Sequence, residues 1–129
     1  MIAPSERNPE DKLRERLEAF PPEFRELVLG YRRRPAPELL DRIAHGILAF
    51  HGGETFEKKF AEKQGDVRLL EDLGFDSLSL VDISFQAEEF LGIIIQLEDF
   101  PQIRTLREMQ AFLRTKATDG AAVGKGGSR

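Results

Sequence analysis

Apolar residues recur three and four apart along most of this chain, and that spacing confines it to helices packed on helices. Only Ile93-Ile94-Ile95 has the look of a strand. With no second strand to pair with it, the tripeptide is read as a buried extended loop. A first stripe runs Leu13, Leu17, Phe20, Phe24, Leu27, Val28 and Tyr31, and Pro21-Pro22 divides it. Proline disfavours helical geometry in the residue before it and suits a first helical turn. Two short helices follow, over 10–20 and 22–33. Arg32-Arg33-Arg34 closes the second, where cations complement the helix dipole.

Pro35-Ala36-Pro37 forms a stiff break. The next helix starts at Pro37 or Glu38, carries Leu39, Leu40, Ile43, Ile47, Leu48 and Phe50, and is expected to stop at Gly52-Gly53. Residues 54–66 read as a loop with a helical turn or two holding Phe56 and Phe60. His51 is expected to be no more than a cap at the preceding helix end. Past Gly74, Asp76 and Ser77 are both good N-cap types. The helix they open spans 77–91 and is apolar over more than half its circumference, which predicts a central, largely buried position. Gly92 ends it. A short turn follows over Leu97–Ile103, and then a helix capped by Thr105 with Glu108 at capping-box spacing. Leu106, Met109, Phe112 and Leu113 form its inner face. Residues 1–11 are expected to fray, and the glycine-rich tail 118–129 to lack order.

Composition narrows the chemistry. The 129 residues include no cysteine, which excludes disulfides, thiolate metal sites and a cysteine nucleophile. No apolar run approaches a membrane span, and the first residues lack a signal-peptide pattern, so a cytoplasmic location is the expectation. The formal charge of −4 is unevenly spread. Residues 71–100 hold eight acids and no Lys or Arg. Such a surface repels nucleic acid and attracts a basic protein partner.

The stretch Leu73-Gly74-Phe75-Asp76-Ser77-Leu78, approached through Glu71-Asp72 and followed by Glu88-Glu89, resembles the acyl carrier protein family. So does the order of elements over 37–116. The resemblance implies an all-α, four-helix carrier bundle, here with two extra N-terminal helices. The expected organisation is an extension over 1–34, a carrier domain over 35–117 and the tail over 118–129. The resemblance further implies that Ser77 carries 4′-phosphopantetheine, transferred from coenzyme A, whose terminal thiol holds acyl groups as thioesters. Asp76 and Leu78 flank that site. Asp76 either caps the helix or helps to position magnesium-bound coenzyme A in a transferase, or does both; no resident metal site is expected. Asp82, Glu88 and Glu89 would dock on basic patches of partners. Phe85, Ile94 and Ile95 would shape an acyl pocket.

On the residues alone, Ser77 reads as a plain N-cap, and it is the resemblance that favours the attachment site. A serine hydroxyl without an adjacent base is a poor nucleophile, and His45 and His51 fall on different faces of an earlier helix. A self-contained hydrolase is therefore disfavoured, and the protein itself is expected to catalyse nothing. Partners would be a phosphopantetheinyl transferase and acyl-processing enzymes such as synthases and acyltransferases, with the chain itself monomeric. Ser79, where the family often has an acid, and the isoleucine run point away from ordinary fatty acid synthase partners. Two other readings stay open: a peptidyl or aminoacyl carrier, and an unmodified interaction module with the same fold. The stripe of the extension would fold back on the carrier domain, pair with another copy or dock to an enzyme.

Overall fold

A computed structural model describes the backbone from Pro9 to Gly126, and side chains from Asp11 to Thr118 except Leu97. Helix α1 (Pro9–Arg16) tightens into a 3-10 turn at Leu17–Ala19, and α2 spans Pro22–Arg33. Helix α3 is Pro37–Lys63, α4 is Ser77–Leu91 and α5 is Leu106–Gly126. Among the described residues there are no strands, only an isolated bridge between Arg68 and Thr105. Helices α2 and α3 each begin on proline, after an extended Pro21 and Ala36. Both prolines thus occupy a position whose N–H would have no helical partner anyway.

The extension folds back on the rest of the chain. Leu17, Phe20, Phe24, Val28, Leu29 and Tyr31 are buried in the same core as Ile43, Ile47, Phe90 and Leu113. Phe20 and Phe24 meet Phe90 edge-on, with ring centroids 5.4 and 5.7 Å apart. Phe20 also stacks on Phe50 of α3 at 4.1 Å. The sequence boundary at 34/35 is therefore not a packing boundary.

Gly52-Gly53 bends α3 without ending it, contrary to expectation. Gly53 takes φ 56° and ψ −137°, a conformation that side-chain-bearing residues avoid, and the helix resumes through Lys63. The segment read as a loop is helical because its aromatic residues find a core. Phe56 is fully buried, and Phe56 and Phe60 receive His45 edge-on at 4.8 and 4.6 Å. Burial against these rings pushes the His45 pKa down, and the Glu57 carboxylate opposes the shift.

Two further expectations are corrected. Helix α5 continues to Gly126, so residues 118–126 of the expected tail have helical backbone. No proline follows Pro101, and glycine weakens a helix without blocking it. The last three residues, and most of the N-terminal segment expected to fray, lie outside the described residues. The isoleucine run is extended, as expected, but only Ile93 is buried; Ile94 is 73% exposed. Alternation along an extended segment sends the middle residue outward when its neighbours point in.

Candidate functional site

The approach to α4 is a loop fastened at several points. Arg68 N–H donates to Asp72 Oδ2 at 2.8 Å, and Lys63 Nζ donates to both Asp72 oxygens at 2.9 and 3.0 Å. The Arg68 amide, and then the Lys63 ammonium, hold the Asp72 carboxyl below its ordinary pKa. Phe75 N–H donates to Leu69 carbonyl, while Leu69 N–H donates to Arg104 carbonyl and Leu106 N–H to Val67 carbonyl. The loop is thereby tied to the start of α5. Buried Phe75 rests where α3 bends: a Cβ on Gly52 would lie 2.8 Å from Phe56 Cβ and 3.7 Å from the Phe75 ring.

This loop delivers Asp76 in extended geometry to the N-cap of α4. Its Oδ1 accepts from Ser79 N–H at 2.9 Å, and its carbonyl accepts from Leu80 N–H. The Ser79 amide, then the Ser79 hydroxyl, lower the Asp76 pKa. Ser77 is the first helical residue and is exposed. The cap is Asp76, which removes the plain N-cap reading of Ser77 and leaves that exposed residue beside the positive end of a 15-residue helix. Leu78, next to it, is 72% exposed. No hydrogen bond joins either histidine to Ser77 among the described residues. His51 Nε2 donates to Gln86 Oε1 at 2.9 Å, so His51 braces α3 against α4 instead of capping α3.

A family model described as a phosphopantetheine attachment site matches residues 62–113, the span from the end of α3 through α4 into α5. The chain is 36% identical over 56 residues to an acyl carrier protein of Solidesulfovibrio magneticus, covering 43% of this chain and 72% of that one. The chain belongs to the acyl carrier protein family. Acyl carrier proteins of Rhodococcus erythropolis (34% over 56 residues, 43% of this chain, 62% of that one) and Rickettsia bellii (33% over 57, 44% and 70%) are similar to it over like spans. The chain thus spans less than two thirds of the length of the Rhodococcus relative. The prosthetic group these matches imply is a covalently attached 4′-phosphopantetheine. An exposed serine hydroxyl at the start of α4, with the capping role taken by its neighbour, fits that group. Helices α1 and α2 and most of α3 lie outside the matched span.

The structure separates the other residues singled out in this acyl carrier chain. Asp82 is exposed on α4. Glu88 is half-buried, and its Oε2 accepts from Ile95 N–H at 2.7 Å, so it holds the segment that leaves α4. Glu89 meets Arg16 Nε of the extension at 3.1 Å, and its carbonyl accepts from Arg32 at 2.7 Å. The three acids do not form one open row.

Of the expected pocket residues, only Ile95 lines the interior cavity, with Leu80, Ile83, Ala87, Met109 and Leu113 among its neighbours. Phe85 is 61% exposed and Ile94 73%, and neither touches it. Phe85 sits two residues past the inward-facing Ile83, about 200° round the helix, and so points out. Helix α4 is accordingly less buried than its composition suggested. The cavity measures about 30 Å³. One water needs roughly 10–15 Å³ on this measure, so an acyl chain of several methylenes enters only if the helices part. Sequence reasoning missed Arg16, Arg32 and Phe50 as neighbours of α4, because their roles arise from contacts across the fold.

Proposed function

We propose that this chain carries acyl intermediates as thioesters on a 4′-phosphopantetheine arm attached to Ser77, in fatty acid, polyketide or related specialised lipid biosynthesis. The observation that carries the reading is local: Asp76 caps α4, and Ser77 stands exposed at the first helical position. Ser77 also falls inside the span matched as an attachment site. The bound group would supply a flexible arm and a thiol to a chain that has no cysteine. The chain's own residues present the hydroxyl and orient the helix. The base that activates Ser77 would come from the transferase, and acyl chemistry from partner enzymes. A tethered intermediate meets those enzymes at raised effective concentration.

Asp82, Leu78 and the exposed start of α4 would form the surface these partners read. No helix among the described residues is long and apolar enough to cross a membrane. The test is intact mass after incubation with coenzyme A and a broad-specificity phosphopantetheinyl transferase, beside Ser77→Ala. One phosphopantetheine gained by the wild type alone is the expected result. No gain with a transferase competent on another carrier would leave the fold as an interaction module and sink the proposal.

A further inference from the structure

A second concave feature lies on the opposite side of α4 from the interior cavity. It is a groove of about 530 Å³ between the extension, α3 and α4. Its lining is mixed. Buried Phe20 and Phe90, with Phe50 and Phe85 at 42% and 61% exposed, supply aromatic surface, and Arg16, Asp82 and Glu89 supply charge. Aromatic side chains bounded by polar ones are the make-up of a protein interface. Arg16, Phe20 and Phe50 lie outside the span matched by the family model, so this concavity is built by parts of the chain that the match does not cover.

The acids of the groove differ in what they hold. Arg16 Nε lies 3.1 Å from Glu89 Oε2, so Glu89 already has a guanidinium. Asp82 makes no ion pair among the described residues. Phe85 follows it three residues later, on the same side of α4, and is exposed beside it. A guanidinium placed there meets a carboxylate and an aromatic face together, the pairing that suits arginine best. The field around it has the right sign, since residues 71–100 hold eight acids and no Lys or Arg. We propose that this groove docks a basic amphipathic segment of a partner protein, with an aliphatic side chain between Phe50 and Phe85 and an arginine at Asp82. The inference deepens the partner side of the reading above: the extension and α3 widen the surface of α4, and the partner it selects is one shaped to Phe20 and Phe50 as well. It does not require the arm at Ser77. Two phenyl rings left exposed on facing elements are the anchor, and Arg16 closes the Glu89 end to a second cation.

The experiment titrates the full chain, without its arm, with a helical peptide of about twelve residues, roughly 18 Å long, that carries leucines on one face and arginines beside them. Amide spectra follow the titration for the wild type, Phe85→Ser and Asp82→Asn, and the peptide-free spectra verify that both exposed substitutions keep the fold. Saturable shifts at Phe50, Phe85 and Gln86 are the expected result, with affinity about tenfold weaker in Phe85→Ser. Asp82→Asn should bind more weakly too, by a margin that shrinks as salt is raised. A peptide with glutamates in place of the arginines should not bind. Equal affinity for a peptide with serines in place of the leucines would reduce the contact to charge attraction and overturn the proposal. Shifts confined to Leu78 and Ser79 would limit docking to the start of α4, and no shifts at millimolar peptide would leave the groove without this kind of partner; either result overturns it. The Ser77 reading stands or falls separately, on the mass gained from coenzyme A.

Discussion

At the start of α4 the structure leaves Ser77, Leu78 and Asp82 exposed, with a single side chain, Asp76, setting the helix. At the other end Glu88, Glu89 and Phe90 are each engaged, by Ile95, by Arg16 and Arg32, and by Phe20 and Phe24. The two ends have opposite fates. Much of the difference comes from the extension, which meets α4 at Glu89 and Phe90. A carrier helix has to be rigid to present its arm and accessible where partners approach. Here the contacts that cover α4 itself gather at the end remote from Ser77, while the Ser77 end is held through the loop that precedes it.

The largest expected effect breaks the closed half. Phe90 is fully buried and is met by two rings of the extension. Phe90→Ala should cost about 3–5 kcal/mol, from lost transfer energy and the cavity left behind. Denaturant unfolding measures this, and amide exchange in α1 and α2 should accelerate with it. A loss below about 1 kcal/mol would mean that the extension is not held by this contact. Glu88→Ala comes next. It leaves the half-buried Ile95 N–H without its carboxylate, at an expected cost of about 1–3 kcal/mol. The same variant should accept phosphopantetheine at the wild-type rate. Slower loading at unchanged stability would return Glu88 to the docking surface.

Much of this fold is legible in the residues, because it is built from local signals. Pro22, Pro37, Gly92, Thr105 and Glu108 mark helix ends where they were expected, and Thr105 Oγ1 accepts from Glu108 N–H at 3.1 Å. Gly52-Gly53 misleads because the same dipeptide ends a helix or bends one, and the choice rests on whether Phe56 finds a core. The start of the candidate site was legible through Asp76-Ser77-Leu78. Its far end was not. Which of Asp82, Glu88 and Glu89 stays open depends on Arg16 and Arg32, which are 73 and 57 residues from Glu89 in sequence. The resemblance places Phe85 and Ile94 at an acyl pocket, and helix phase and the alternation of an extended segment send them out.

The open half is sharpened by pH. Asp76 has a folded pKa held below its ordinary value by the Ser79 amide. The cap therefore contributes its full stability above about pH 4, and loses it as pH falls through the folded value. Asp76→Asn keeps a good cap that does not titrate. The variant should match the wild type at pH 7 and lose less stability between pH 4 and pH 2. Asp72 and Glu108, lowered in the same sense by the amides of Arg68 and Arg104, keep the rest of the acid limb. Equal losses in the two proteins would show that the cap is not made through the ionised carboxylate.

The smallest effect on stability is the most informative about docking. Asp82 is exposed, five residues after Ser77, and Asp82→Asn should shift stability by no more than about 0.5 kcal/mol. Its effect belongs to encounter with a basic partner, so the variant should slow loading by the transferase. The slowing should shrink as salt is raised, since exposed charges are screened beyond about 8 Å at physiological ionic strength. Glu89→Gln, on the covered half, should slow loading less. If the two variants slowed it equally, the transferase would be reading the whole length of α4, and the extension would have to move aside each time it did so.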